Sequence, residues 1–209
     1  MVRMGCGTSQ NAVSPILFVE NQNGSVLRIN STPGSDALEY MSQEDIKDAD
    51  ERAMMIDQSD LSIETLTELL FKDAKNNASS LRSFFKWITF NIRFDPHCDS
   101  TDVQSILSSK RCAAEGFVNL FENMCRLKNI PAIRITSHVR NHSFQPDLSQ
   151  IDGNNNFHIW NAVLINNSYH HIDCTWAALP VSGRKYRKRD VRDVDSFFFT
   201  SSDLVGDLC

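Results

Sequence analysis

The sequence predicts an α+β fold in which several helices come first and an antiparallel sheet follows. Apolar residues recur at helical spacing between residues 42 and 127. Three runs of strand-favouring residues come after them, and only two asparagines separate the last two runs. Because the chain has 209 residues, 41% of them hydrophobic, it is long enough to bury one core, and one globular unit is the simplest arrangement.

Four segments carry the helical pattern. Residues 42–55 are acidic and rich in helix-favouring residues, and leucines mark a second segment at 61–70. Residues 78–92 place their apolar side chains on one face, and this helix must end before Pro96, which cannot continue it. Residues 114–127 carry a further apolar stripe, which predicts a buried helix laid against the sheet.

The strand-like runs are residues 132–138, 158–165 and 169–176. A long polar loop, residues 140–156, separates the first run from the second. The second and third runs are joined by the Asn-Asn pair at 166–167, and asparagine tolerates the positive φ that a two-residue hairpin turn requires. We therefore predict a tight β-hairpin at this place.

The register of this hairpin brings two reactive side chains together. If Ile165 faces Ser168, counting outward puts Trp160 opposite Asp173. His158 then lies on the same face as Asp173, as its diagonal neighbour. A His–Asp hydrogen bond is feasible, and such a pair lets an imidazole accept a proton from a nucleophile while the carboxylate fixes its tautomer.

The nucleophile of such a site works best at the start of a helix, where unpaired N–H groups and the positive dipole end lower a thiol pKa. The helix that opens at Ala114 offers this setting, but its first residue is alanine. Cys112 lies two residues upstream, where it would lack the aligned N–H groups, so the structural interpretation of Cys112 is favoured over a displaced nucleophile.

Two further residues share the face of His158. His171 has the parity of Asp173 and is the rival candidate for the base. Trp160 is either a wall of the site that keeps water from the His–Asp pair or a core aromatic, and the sequence leaves both open. Trp176 and Trp87 are predicted to be core residues.

The sequence resembles the transglutaminase-like family, and in particular its kyphoscoliosis-peptidase branch. Residues 87–95 read W-I-T-F-N-I-R-F-D, residues 158–161 read H-I-W-N, and residues 173–176 read D-C-T-W, each in a family pattern. The closing F-F-F-T at 197–200 also fits. The resemblance implies a papain- or transglutaminase-like core in which the nucleophile helix packs on an antiparallel sheet, with His158 as base and Asp173 as its partner.

The family pattern C-x-G-[YF]-x-x-L-F matches residues 114–121, A-E-G-F-V-N-L-F, and puts Ala114 on the cysteine. Alanine has no atom that can attack a carbonyl. Two explanations are open: a Cys→Ala variant of an enzyme that acts on protein amide bonds, or a natural pseudoenzyme that serves as a protein-interaction module. The retained His158 and Asp173 favour the former.

Residues 1–41 are predicted to be a flexible leader, and residues 42–209 the transglutaminase-like domain. Within the leader, M-G-C-G-T-S at 4–9 fits an N-myristoylation pattern if Met4 is the start, with Gly5 acylated and Cys6 palmitoylated. Two acyl chains would hold the chain stably at the inner face of a membrane, and the alternative is a plain Gly/Ser tail. A basic run at 184–192 is either a solvated loop or a surface that steers anionic partners.

Composition limits the classes of partner. The net charge of −5 argues against nucleic-acid binding, so we expect a protein or peptide substrate and leave the oligomeric state open. The sequence shows no metal-binding or calcium-loop motif, and no cofactor is expected. Six dispersed cysteines without a C-x-x-C pair, and the lack of a signal segment, predict a reducing, cytoplasmic setting.

Overall fold

The computed structural model describes residues 17–20, 26–29, 40–56, 61–138, 157–179 and 194–200. The helices are α1 Gln43–Met55, α2 Ile63–Phe71, α3 Asn77–Asn91, α4 Val103–Ser109, α5 Ala114–Leu127 and α6 Cys174–Ala178. The strands are β1 Leu17–Glu20, β2 Val26–Ile29, β3 Arg93–Phe94, β4 Arg111–Cys112, β5 Ala132–His138, β6 Phe157–Ile165, β7 Ser168–Ile172 and β8 Phe198–Thr200. The α+β prediction is confirmed.

Side-chain caps explain where most of these helices begin. The residue before each of α1 to α4 accepts a hydrogen bond from a backbone N–H of the first turn, and these residues are Ser42, Ser62, Asn76 and Asp102. In α1 the carboxylate of Asp45 also bonds back to Ser42, which completes a capping box. Helix α5 differs, because its N-cap residue Ala113 makes no side-chain hydrogen bond.

Helix α3 is the centre of the helical layer. Its bounds agree with the prediction to within one residue, and the helix is buried from Ala78 to Thr89 on every side, including the positions outside the predicted apolar face. The buried guanidinium of Arg82 lies 2.6 Å from the carboxylate of Asp50 and 2.6 Å from that of Asp195. Lys86 adds a contact of 3.1 Å to Asp50. Paired charges make the burial of this face tolerable.

The main sheet has four strands in the order β5-β6-β7-β8, all antiparallel. The predicted hairpin is confirmed, since Ile165 pairs with Ser168 and the turn residues Asn166 and Asn167 have φ of 48° and 65°. These angles suit a type I′ turn. β8 was not predicted as a strand, and it adds the fourth member beside β7.

The two faces of this sheet pack differently. Val163, Ile165 and Ile172 join the main core, which the helices form. On the opposite face a smaller cluster contains Ile135, Trp160 and Ala162. His158 and His171 have the parity of this second face, since His171 pairs with Ala162 and His158 lies two residues before Trp160.

Three local predictions need correction. The run 169–176 is a strand only to Ile172, because Asp173 caps the short helix α6 and turns the chain out of the ladder. Helix α4 falls in none of the four segments that were predicted to be helical. Within the predicted leader, β1 and β2 pair as a two-stranded antiparallel ribbon. The proposed domain boundary at residue 42 stays a prediction.

A search of the described residues finds no helix that is both long enough and apolar enough to cross a bilayer.

Candidate functional site

The centre of the site is a buried hydrogen bond between His158 Nε2 and Asp173 Oδ2. His158 lies near the start of β6, and Asp173 follows the last residue of β7. Both residues are buried, with relative exposures of 4% and 7%. Since Nε2 is committed to the carboxylate, Nδ1 is the ring nitrogen left to exchange a proton with a substrate or nucleophile.

Asp173 has a second duty that the sequence did not predict. Its Oδ1 accepts a hydrogen bond of 2.9 Å from the backbone N–H of Trp176, so the residue is the N-cap of α6. One carboxylate oxygen therefore starts the helix while the other holds the imidazole. This division fixes the carboxylate plane and, through it, the orientation of His158.

Two indole rings flank the imidazole. The Trp176 ring lies 4.2 Å from the His158 ring and the Trp160 ring lies 5.4 Å from it, each at an interplanar angle of 15°. Both tryptophans are 5% exposed, so they shield the His–Asp pair from water. Trp160 fits both of its interpretations, because it lies beside His158 and also belongs to the apolar cluster with Ile135 and Ala162. Trp176 was assigned to the core and is a site residue that the sequence reasoning missed.

Position 114 is the first residue of α5, and α5 packs against β6, the strand that carries His158. Ala114 is half-buried rather than sealed in the core. No side chain caps the start of α5; the Gly116 N–H donates to the Ala113 carbonyl at 3.0 Å, and the N–H groups of Ala114 and Glu115 precede the first intrahelical hydrogen bond. A thiolate or an oxyanion at this place would gain from them. That the Ala114 Cβ comes within reach of the His158 ring stays a prediction.

The start of α5 is tied to the sheet by charge. The Arg134 guanidinium on β5 lies 2.6 Å from Glu122 and 3.6 Å from Glu115, the residue that follows position 114. It also donates to the side chain of Asn119. These contacts hold one end of the helix in a fixed relation to the strand beside β6.

The buried cysteines lie in settings that suppress thiolate formation. Burial raises the pKa of Cys112 to about 12, and its side chain packs against Gly116 in the first turn of α5. Burial also raises the pKa of Cys125 and of Cys174 well above the ordinary value. A thiol that stays protonated at neutral pH is a poor nucleophile, so none of the three replaces a cysteine at position 114.

His171 does not compete for Asp173. Its Nδ1 accepts a hydrogen bond of 2.9 Å from Trp160 Nε1, while Asp173 bonds to His158. Burial, assisted by the neighbouring His170, lowers the pKa of His171 to about 4, although Asp173 opposes the shift. His171 is therefore a neutral acceptor at physiological pH, and the base assigned by the sequence pattern is the one in contact with the carboxylate.

The buried His171 predicts a loss of stability in acid. Its pKa of about 4 in the folded chain lies below the ordinary 6.5, so between these pH values the unfolded chain binds a proton that the folded chain does not. The free energy of unfolding should therefore fall as the pH falls below about 6.5, by about 2 kcal/mol at pH 5 relative to pH 7.5.

Urea unfolding at the two pH values measures this effect on the unsubstituted chain and on His171→Gln. The glutamine variant should lack this part of the pH dependence. Equal losses in the two chains would contradict the assignment.

Other predicted sites are placed as follows. Within residues 40–56, 61–138, 157–179 and 194–200, no three His, Cys, Asp or Glu side chains are grouped so that they could hold a metal ion. The lipidation candidates Gly5 and Cys6, and the basic run 184–192, lie outside the described residues.

Comparison with known proteins identifies the family of this chain. The family model of the transglutaminase-like superfamily matches residues 64–174, just over half of the chain. Human kyphoscoliosis peptidase is 26% identical over 125 residues, which cover 56% of this chain and 18% of that protein. Hillarin from Drosophila melanogaster is 22% identical over 144 residues, which cover 66% of this chain and 18% of that protein.

The chain thus spans less than a fifth of the length of these relatives. A crystal structure of a TGase superposes on 72% of this chain and 37% of that one, with 12% identity and a TM-score of 0.39, too low to support any inference. The family match and the kyphoscoliosis-peptidase relatives do support one: the chain belongs to the transglutaminase-like superfamily, in the branch that includes kyphoscoliosis peptidase.

Proposed function

We propose that this fold carries the site of a Cys-His-Asp thiol enzyme for amide bonds of proteins or peptides, with the nucleophile at position 114. The observation that carries the proposal is the hydrogen bond between His158 and Asp173, which two tryptophan rings shield from water. A buried His–Asp pair is costly to keep in a core, and it suits a base that must accept a proton from a nucleophile.

With cysteine at position 114, the chemistry follows from the groups present. Nδ1 of His158 takes the thiol proton, and the sulfur bonds to the carbonyl carbon of the substrate amide. The C–N bond breaks, the leaving amine takes the proton from His158, and an acyl-thioester remains. Water then attacks the thioester and gives hydrolysis, whereas an amine gives acyl transfer. In either case His158 accepts the proton of the attacking group, the C–S bond breaks, and the departing thiolate takes the proton back from His158.

Ala114 removes the first step from this scheme, so the chain as it stands is inactive in it. The retained pair favours the interpretation that Ala114 replaces the cysteine of an active parent enzyme. A second candidate function is supported by Ala114 itself: a natural pseudoenzyme whose cleft holds a peptide without cleaving it. The codon for position 114 in the natural transcript separates these two, since an alanine codon there would end the enzyme hypothesis for the native protein.

The test of the site is the variant Ala114→Cys. At pH 6.5 an ordinary thiol is only about 1% thiolate. We expect iodoacetamide to label position 114 roughly 30-fold faster in this variant than in Ala114→Cys/His158→Ala, because His158 stabilises the thiolate. At pH 9.5 the two rates should approach each other, since the thiol ionises without help.

Peptide-resolved mass spectrometry follows the labelling, and the half-exposed Cys98 is the internal reference for reagent and pH. Equal rates at position 114 with and without His158 at pH 6.5 would rule out the proposed activation.

The acceptor that completes the reaction also belongs to the proposal. Similarity to the kyphoscoliosis-peptidase branch favours water as the acceptor. When Ala114→Cys is given a protein substrate together with a fluorescent primary amine, hydrolysis should predominate over incorporation of the amine. Predominant incorporation would instead assign the site to acyl transfer.

A further inference from the structure

A hydrogen bond links a residue outside the His–Asp pair to the wall of the site. Trp160 Nε1 donates to His171 Nδ1 at 2.9 Å, and both side chains are buried. The same indole lies nearly parallel to the imidazole of His158, with ring centroids 5.4 Å apart. Trp160 is therefore in contact with the candidate base on one side and bonded to His171 on the other.

The chemistry of this bond fixes the state of His171. An indole N–H can only donate, so Nδ1 of His171 must carry its lone pair and the proton must be on Nε2. Burial lowers the pKa of His171, which keeps the ring neutral and able to accept. Among the described residues Nε2 has no hydrogen-bond partner, so the bond from Trp160 is the contact that orients this ring.

The strand geometry makes this bond a constraint on Trp160. His171 is paired with Ala162 on the neighbouring strand, one step along the same face from Trp160. Rotation of an indole about its second side-chain torsion is only weakly restricted by itself. A hydrogen bond to a fixed acceptor across the ladder selects one orientation, and the selected one is nearly parallel to the His158 ring.

We infer that His171 is a positioning residue of the site, which holds the Trp160 indole against His158 and thereby fixes the angle at which His158 presents Nδ1. The consequence for reactivity rests on the proposed thiol chemistry. The positioning itself does not, because it concerns the arrangement of three side chains that are present whichever residue occupies position 114.

The first experiment uses the unsubstituted chain, labelled with ¹⁵N at its tryptophans. The Trp160 indole proton should move upfield in His171→Leu, which removes the acceptor, and return toward its original position in His171→Gln, whose amide oxygen accepts. The ring protons of His158 should shift in the leucine variant and recover in the glutamine variant, since ring currents report their place over the indole. Unchanged resonances of Trp160 and His158 in His171→Leu overturn the inference.

A second arm uses Trp160→Phe, which keeps an aromatic wall and removes the donor, and it decides the matter if His171→Leu does not fold. The His158 ring protons should shift in this variant too. In the Ala114→Cys background, His171→Leu should slow labelling of position 114 at pH 6.5 by roughly 3- to 10-fold, because a misplaced imidazole is a poorer proton acceptor. His171→Gln should restore the rate.

The two arms keep the hypotheses apart. If His158 fails to accelerate labelling of Ala114→Cys at all, the proposed function fails, and the resonances of the unsubstituted chain still decide whether His171 positions Trp160. If acceleration by His158 is present but His171→Leu labels as fast as its parent and Trp160→Phe leaves His158 unmoved, the positioning role is excluded while the thiol site stands.

Discussion

Replacing Gly116 with alanine should destabilise the fold by about 3 kcal/mol, at the upper end of the usual cost of overpacking. A Cβ at this position would collide with Cys112 Cβ and would lie 2.8 Å from Cys112 Sγ and 3.0 Å from Ile106 Cδ1. The first of these atoms belongs to the start of a buried side chain in β4, so it cannot move aside without the strand.

The sign of the effect makes this prediction informative. In an unhindered helix interior the change from glycine to alanine stabilises by up to about 1 kcal/mol. Urea unfolding should show a loss for Gly116→Ala and little change for the matched control Arg126→Ala, at an exposed position of the same helix. Cys112→Gly in combination with Gly116→Ala should recover part of the loss. A Gly116→Ala chain as stable as the unsubstituted one would contradict the close packing.

Gly116 matters for the site as well as for the core. Its missing side chain lets β4 run close beneath the first turn of α5, and only Ala113 separates the end of β4 from position 114. The chain therefore passes from the end of β4 to the start of α5 through a single residue. Glycine two residues after the nucleophile position, as in the family pattern, has a packing reason in this chain.

The features that the sequence predicted well depend on local interactions. The hairpin depends on two asparagines that accept positive φ, and the structure gives both residues that conformation. Helix α5 was predicted at 114–127 and has those bounds, because its apolar stripe is regular and the chain turns at Asn129 (φ 53°), beyond its end. Local chemistry and tertiary packing agree in these segments.

The features that were missed depend on tertiary contacts. Helices α4 and α6 have 7 and 5 residues, too few for a periodic pattern to be visible. Strand β8 has 3 residues and exists because it pairs with β7. The polar residues of α3 resemble a solvent face in sequence, and only the three-dimensional pairing of Arg82 and Lys86 with acidic partners shows that this face is buried.

The same distinction explains the site. The pairing register was sufficient to bring His158 and Asp173 to one face of the sheet, where they form their hydrogen bond. Strand parity, however, puts Trp176 on the opposite face from Asp173, since the two are three residues apart. In a helical turn residues three apart lie on the same side, and the cap at Asp173 produces that turn. Trp176 therefore stacks on His158.

Asp173 both holds His158 and caps α6. Because of the first role, the second large expected effect is a loss of thiol activation in Ala114→Cys/Asp173→Asn. The asparagine side chain of this variant must offer its one oxygen to the backbone N–H of Trp176. In the flipped orientation its NH₂ group would face that N–H, and two donors cannot form a hydrogen bond with each other. The NH₂ group then faces His158 Nε2, which must accept, and the imidazole proton moves to Nδ1. In this tautomer Nδ1 cannot take the thiol proton.

Labelling of position 114 at pH 6.5 should therefore slow roughly 30-fold in Ala114→Cys/Asp173→Asn, close to the effect of removing His158 itself. Asparagine is as good a helix cap as aspartate, so the free energy of unfolding should change by less than that of Asp173→Ala, which should lose about 1 kcal/mol of capping energy.

The pair of variants separates the two oxygens of one carboxylate. Asparagine should abolish activation while keeping the helix, whereas alanine should weaken both. If Ala114→Cys/Asp173→Asn were labelled as fast as Ala114→Cys, the carboxylate would not be setting the tautomer of His158, and the hydrogen bond between them would serve only to hold α6 to the sheet.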